Sequence, residues 1–131
     1  WGDANVAVGY RALKLNTADN NTAVGNEALI SNTTGTPNTA VGYQALEENT
    51  TGTHNVAFGT WTLDDNTTGV NNTALGNIAL GLNSTGSNNT AVGYQALDNS
   101  AESNDNTAIG AFALSAAQSS AYANRTSYLT H

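Results

Sequence analysis

Few residues in this chain have the chemistry of a catalyst. The two histidines are His54, in a turn-rich stretch, and His131, the last residue. Neither has a serine and an acid, or a second histidine, at a spacing that builds a triad or a metal pair. The glycines are not followed by the Gly-Lys-Ser/Thr that cradles phosphate. The acids are better placed. Glu47-Glu48 and Asp64-Asp65 lie 17 residues apart. If those segments stack, four carboxylates come together and repel one another. A hard cation such as Ca²⁺ would relieve that repulsion. The calcium-binding pattern of Gly and Asp repeats is absent, so a solvated acidic corner is the reading kept, with no metal site assigned. Aromatic residues supply the other candidates. Tyr10, Tyr43 and Tyr94 share one repeat position, while Trp61, Ile78 and Phe112 share the next with Arg11, Gln44 and Gln95. Exposed rings stack on sugars and mark protein interfaces. Trp61, Ile78, Tyr43 and Tyr94 are therefore the binding candidates. The Asn-x-Ser/Thr sequons, such as Asn32, Asn49, Asn66, Asn83 and Asn124, read as products of composition.

Those residues are positioned by a repeat. Glycine recurs at Gly9, Gly25, Gly42, Gly59, Gly76, Gly93 and Gly110, with one spacing of 16 residues and five of 17. Asn stands four residues before each glycine, Ala two before, and Val, Phe, Leu or Ile one before. Leu stands four after in all seven copies, preceded by Ala except at Thr62. A second Asn column runs Asn16, Asn32, Asn49, Asn66, Asn83 and ends at Ser100.

Seventeen residues are too few for a two-helix repeat. One helical turn over 41–46 is a variant. The favoured reading is an all-β fold, a parallel β-solenoid (β-roll) of about seven coils over residues 1–114, followed by a non-repetitive cap or linker over 115–131. Asn-Thr-Ala-Val makes a strand, the glycine bends it, Gln44–Leu46 makes a second strand, and Asn49–Gly52 turns back with Gly52 in a left-handed conformation. Coils stacked at about 4.8 Å give a rod of about 34 Å. Like residues then stack on like, with Val and Leu as core and Asn as amide ladders. Adjacent strand residues point to opposite faces. If Val41 and Leu46 point inward, Ala40 and Ala45 point outward. The two Ala columns then form a smooth apolar stripe suited to self-association.

Composition narrows the partners. The 131 residues carry 3 Lys+Arg against 10 Asp+Glu, a formal charge of −7, with only 10% charged residues. Nucleic acid and anionic membranes are poor partners for such a chain. No apolar run of about 18 residues spans a bilayer. Without Cys there are no disulfides or thiolate metal sites. A start at Trp1 reads as a processed form or a fragment.

The Asn-Thr-Ala-Val-Gly-Tyr-Gln-Ala-Leu unit at 38–46, over about residues 4–114, resembles repeats of phage and large-virus tail-fibre proteins. It is also similar to the β-roll of trimeric autotransporter adhesin heads, whose unit is nearer fourteen residues. The resemblance implies a homotrimeric, extracellular fibre segment on a virion or cell surface, a rigid shaft or head that meets glycan or protein receptors. It implies no cofactor and no catalysis. The alternatives are an ice-binding solenoid, since the chain is rich in Thr, an end-to-end filament subunit, and a polysaccharide-degrading spike. The last lacks a catalytic constellation.

Overall fold

The computed structural model describes residues 2–115 and 126–128. Within them the chain is a parallel β-solenoid with one three-residue strand per coil. The strands are β1 (Val6–Val8), β2 (Thr22–Val24), β3 (Thr39–Val41), β4 (Val56–Phe58), β5 (Thr73–Leu75), β6 (Thr90–Val92), β7 (Thr107–Ile109) and β8 (Thr126–Tyr128). They form a single sheet in chain order. β1 to β7 carry the repeat, and β8 extends the sheet from within the non-repetitive tail. The rest of that tail, including His131 and Asn124, lies outside the described residues.

Register follows the columns. Ala23 pairs with Ala40, Ala40 with Ala57, and Val24 with Val41. The glycine of each coil admits the next coil at close range. A Cβ on Gly59 would sit 2.6 Å from Gly76 O, and its φ of 142° also disfavours a side chain.

The sheet faces the opposite way to the sequence expectation. Ala23, Ala40, Ala57, Ala74, Ala91 and Ala108 are fully buried. The Val column is outward instead, with Val8 and Phe58 each 57% exposed. Size explains the inversion. A 17-residue coil is narrow, and the space opposite the sheet is filled by Leu and by paired Asn amides. Only a methyl group fits between them. The Leu column is core as expected, buried from Leu13 to Leu97, and each such side chain contributes about 1.5–3 kcal/mol. The second Ala column is buried too, and Thr62 replaces Ala there by donating its hydroxyl to Gly76 O at 2.7 Å. The smooth outward Ala stripe therefore does not exist.

The segment after the glycine is neither a second strand nor a helical turn. Gln44 and Leu46 both have φ of 53°, and the same two positions are left-handed in every coil. Such backbone is costly for non-glycine residues. It is held by hydrogen bonds between coils: Leu46 N donates to Thr62 O at 3.0 Å, and Gln44 N to Asn26 O at 2.9 Å. The return turn differs as well. Gly52 is not left-handed; His54, Asn71 and Asn88, two residues beyond the turn glycine, are, as is Asp105 two beyond Ser103. Asn, Asp and His tolerate that region best, so His54 is accounted for as a turn residue.

Both Asn columns are buried ladders, with different wiring. In the second, each amide nitrogen donates to the preceding Asn: Asn32 to Asn16 at 2.6 Å, Asn49 to Asn32 at 2.7 Å, Asn66 to Asn49 at 2.9 Å and Asn83 to Asn66 at 2.8 Å. In the first, the side-chain oxygen accepts the next coil's backbone N–H, as in Asn38 N to Asn21 Oδ1 at 2.8 Å. The amide then caps the return-turn carbonyl, as in Asn38 Nδ2 to Gly52 O at 2.8 Å. The shorter first coil loses its residue in this turn: Ala18 O takes both amides, from Asn5 and Asn16.

Leu63→Asp is expected to abolish the cooperative thermal transition followed by circular dichroism, because an unpaired charge cannot be accommodated in that column. Leu63→Ala should cost about 2–5 kcal/mol. A Leu63→Asp protein that melts like the parent would contradict the core assignment.

Candidate interaction face

Thr and Val alternate with the inward Ala, so both point outward from the sheet. Two columns result. One is Val6, Thr22, Thr39, Val56, Thr73, Thr90 and Thr107; the other is Val8, Val24, Val41, Phe58, Leu75, Val92 and Ile109. No acidic or basic residue stands in either column. The second is an exposed apolar stripe, partly shielded at Val24, Val41 and Val92 and open at Val8, Phe58, Leu75 and Ile109.

Past the glycine the chain turns a corner, and the aromatic candidates sit there. Tyr43 and Trp61 meet edge to face with ring centroids 5.8 Å apart; Tyr94 and Phe112 repeat that geometry at 5.1 Å, three coils further on. Such pairs contribute about 0.5–1.5 kcal/mol beyond their burial. Trp61 is 42% exposed. Its indole Nε1–H donates to Gln44 Oε1 at 2.7 Å, Gln44 Nε2 donates to Glu27 Oε2 at 3.2 Å, and Arg11 Nη1 pairs with Glu27 Oε1 at 3.2 Å. This chain of bonds fixes the plane of an exposed ring. Ile78 is half-buried beside it, and Tyr94 is exposed. Thus Tyr43 and Trp61 form one cluster, Ile78 adjoins it, and Tyr94 belongs to a second cluster with Phe112. The residues that sequence reasoning missed are the outward Val column. The repeat places that column two residues from Thr on one strand face, but with Ala and Val both apolar it does not say which face is outward.

The acidic corner lies on the side of the coil after the Leu column. Glu47, Asp64 and Asp98 are half-buried in one column, while Glu48 and Asp65 are exposed in the next. Gly81 separates Asp64 from Asp98. A Cβ there would lie 2.9 Å from Asp98 Oδ1 and 3.3 Å from Asp64 Oδ1, so the two carboxylates lean into the space above one glycine. Asp98 Oδ1 is buried with no hydrogen-bond partner among the described residues. Burial pushes the Asp64 carboxyl up to about 7, with the charge of Asp65 next in weight and smaller contributions from Glu47 and Asp98. Burial also raises Asp98, helped by Asp65. Glu47 is raised by burial and by Glu27, Glu48 and Asp65, against a hydrogen bond from Gln44. No group of three or more metal-ligating side chains is gathered among the described residues. None of their helices is long and apolar enough to cross a membrane.

Comparison with known protein families, with curated proteins and with solved structures finds no match to this chain.

The raised Asp64 has a definite sign. The folded state holds its proton more tightly than the unfolded chain. The contribution of Asp64 to stability is therefore fully present below about pH 4, is lost as pH rises toward 7, and is absent above it. Asp64→Asn copies the protonated form. At pH 8 it is expected to raise the melting temperature by about 3 °C or more, allowing for the solvent that still reaches the carboxylate. At pH 4 it should change little. An equal shift at both pH values would contradict the assignment.

Proposed function

We propose that this chain is a structural and adhesive fibre segment, a rigid extracellular rod of a virion or cell surface that assembles as a homotrimer. The observation that carries the reading is the uncharged, outward Thr/Val face, which runs in unbroken register from β1 to β7. The chain bears a net charge of −7, so copies of it repel one another except where no charge is present. A face with the repeat of the coil itself is best matched by another copy of the same coil.

Area supports more than two chains. Six steps of about 4.8 Å and a width of about 12 Å give on the order of 350 Å². A standard interface covers about 800 Å² on each partner. One flat pairing falls short, and a chain that meets two neighbours around an axis uses its corner as well as its sheet. The aromatic clusters supply that second surface, and where they remain exposed they supply adhesion to glycan or protein. No catalysis and no cofactor belong to this reading.

The outward Thr column favours one other reading, an ice-binding face. Thr22, Thr39, Thr73, Thr90 and Thr107 lie on a sheet rather than in a turn, interrupted by Val6 and Val56. Thermal hysteresis in dilute solution distinguishes this from the fibre reading.

Native mass spectrometry is expected to give three copies of the wild-type chain. Val41→Lys with Leu75→Lys, both outward, should leave a folded monomer. A well-folded wild-type monomer at high concentration would remove the assembly. Trp61→Gln with Ile78→Gln should loosen the assembly and weaken binding to a responsive glycan or cell surface about tenfold. Unchanged binding would move the adhesive patch away from this corner.

A further inference from the structure

The second Asn ladder has a repeated local geometry. From Asn32 to Asn83 the amide nitrogen sits between two acceptors: the side-chain oxygen of the preceding Asn and the backbone oxygen three residues on. Asn49 Nδ2 is 2.7 Å from Asn32 Oδ1 and 3.1 Å from Gly52 O. Asn66 and Asn83 repeat this with Gly69 O and Gly86 O at 3.2 and 3.0 Å. That backbone oxygen accepts a second amide, from the first ladder: Asn55 to Gly69 O and Asn72 to Gly86 O, both at 2.8 Å. Each turn carbonyl thus uses both lone pairs.

The sixth coil breaks the pattern. Ser100 stands where Asn should, and it has no amide nitrogen. Three groups are left open. Asn83 Oδ1 is buried and has no donor, although Asn83 itself is fully buried. Ser100 Oγ is buried and unpartnered on a fully buried residue. Ser103 O, in the position of the turn carbonyl, accepts Asn89 Nδ2 at 2.7 Å, and no other hydrogen bond to it is found among the described residues. The register of the ladder directs all three at one point, where the amide nitrogen of the other coils lies.

We propose that a single water molecule binds at that point and completes the ladder. It donates to Asn83 Oδ1 and to Ser103 O and accepts from the Ser100 hydroxyl. Buried waters typically make about three such bonds. Replacing Asn by Ser removes two heavy atoms, close to the room one water needs. Three oxygens are too few for a hard cation, which takes six or more. The site is internal and belongs to the seam between the fifth and sixth coils. The rod is thereby continuous in hydrogen bonding, with one rung that exchanges with solvent.

Oxygen-17 relaxation dispersion counts long-lived internal waters, and a high-resolution crystal structure locates them. Wild type is expected to show a water within hydrogen-bond distance of Asn83 Oδ1, Ser100 Oγ and Ser103 O. Ser100→Asn should lose one long-lived water and melt a few degrees higher. Asn66→Ser should gain one, between Asn49 and the Gly69 carbonyl, and melt lower. If Ser100→Asn does not fold, the Asn66→Ser count decides the matter alone. A wild-type crystal structure with those three groups bonded to protein instead, or an unchanged water count in the folded variants, overturns the proposal.

Discussion

Every part of this molecule depends on each residue lying over its counterpart in the next coil. The strands obey this through ladder bonds, as between β2 and β3. The turns obey it too, since Leu29 N, Leu46 N, Leu63 N and Leu80 N all donate to the next coil. Backbone pairing therefore runs beyond the sheet and continues through left-handed turns. A buried backbone group must find a partner, and in this coil it finds one either in a neighbouring coil or in a tight turn of its own, as Asn49 N does at Leu46 O. Side chains are then forced into stacks. Apolar stacks cost nothing to extend. Asn stacks also extend freely, because an amide carries both a donor and an acceptor. Carboxylate stacks do not, and Gly81 interrupts the acidic column between Asp64 and Asp98; burial, with Asp65 next in weight, raises the Asp64 carboxyl.

The repeat and its period were legible in the residues alone, while the eighth strand, in the non-repetitive tail, was not. The Leu core and the second Asn ladder with its end at Ser100 were legible too, because these columns have a single chemical reading once stacked. The orientation of the strand was not legible. Ala40 and Val41 are both apolar, and ranking them by hydrophobicity puts Val inside. Room inside the coil decides the other way, and that room is set by Leu and Asn residues elsewhere in the repeat. The turn at Gln44–Leu46 was also hidden. Nothing in Gln-Ala-Leu signals left-handed backbone, which is intrinsically unfavourable there. Hydrogen bonds to adjacent coils hold it, together with the bond from Asn49 N to Leu46 O within the coil.

The candidate site was legible in part. Trp61 and Ile78 stood out as interruptions of a polar column and Tyr43 as a tyrosine of the column before it, and Trp61 and Tyr43 meet at the corner. The link from Trp61 to Gln44 follows from their stacking in one column. Tyr94 was grouped with them by repeat position, yet its partner is Phe112. The outward Val column escaped notice because it had been assigned to the core. One reversed strand thus moved the expected self-association surface from Ala to Val, while leaving its chemistry apolar and its length the same.

Regularity and recognition pull against each other in such a rod. A column that repeats on every coil offers the same group every ~4.8 Å. It suits a partner with the same repeat, or many weak contacts in parallel. Distinct recognition requires a place where the columns differ. A stacked fold admits such differences most freely where side chains leave the coil, since an inward change takes polar groups from their ladder partners, as at Ser100 and Asn83. The apolar substitutions at Trp61, Ile78 and Phe112 lie on the outside and leave the ladders intact. The inward departure at Thr62 survives because its hydroxyl reaches Gly76 O. The same constraint that makes the rod continuous therefore confines sequence freedom to its outward columns, and any specific contact of this chain has to be built there.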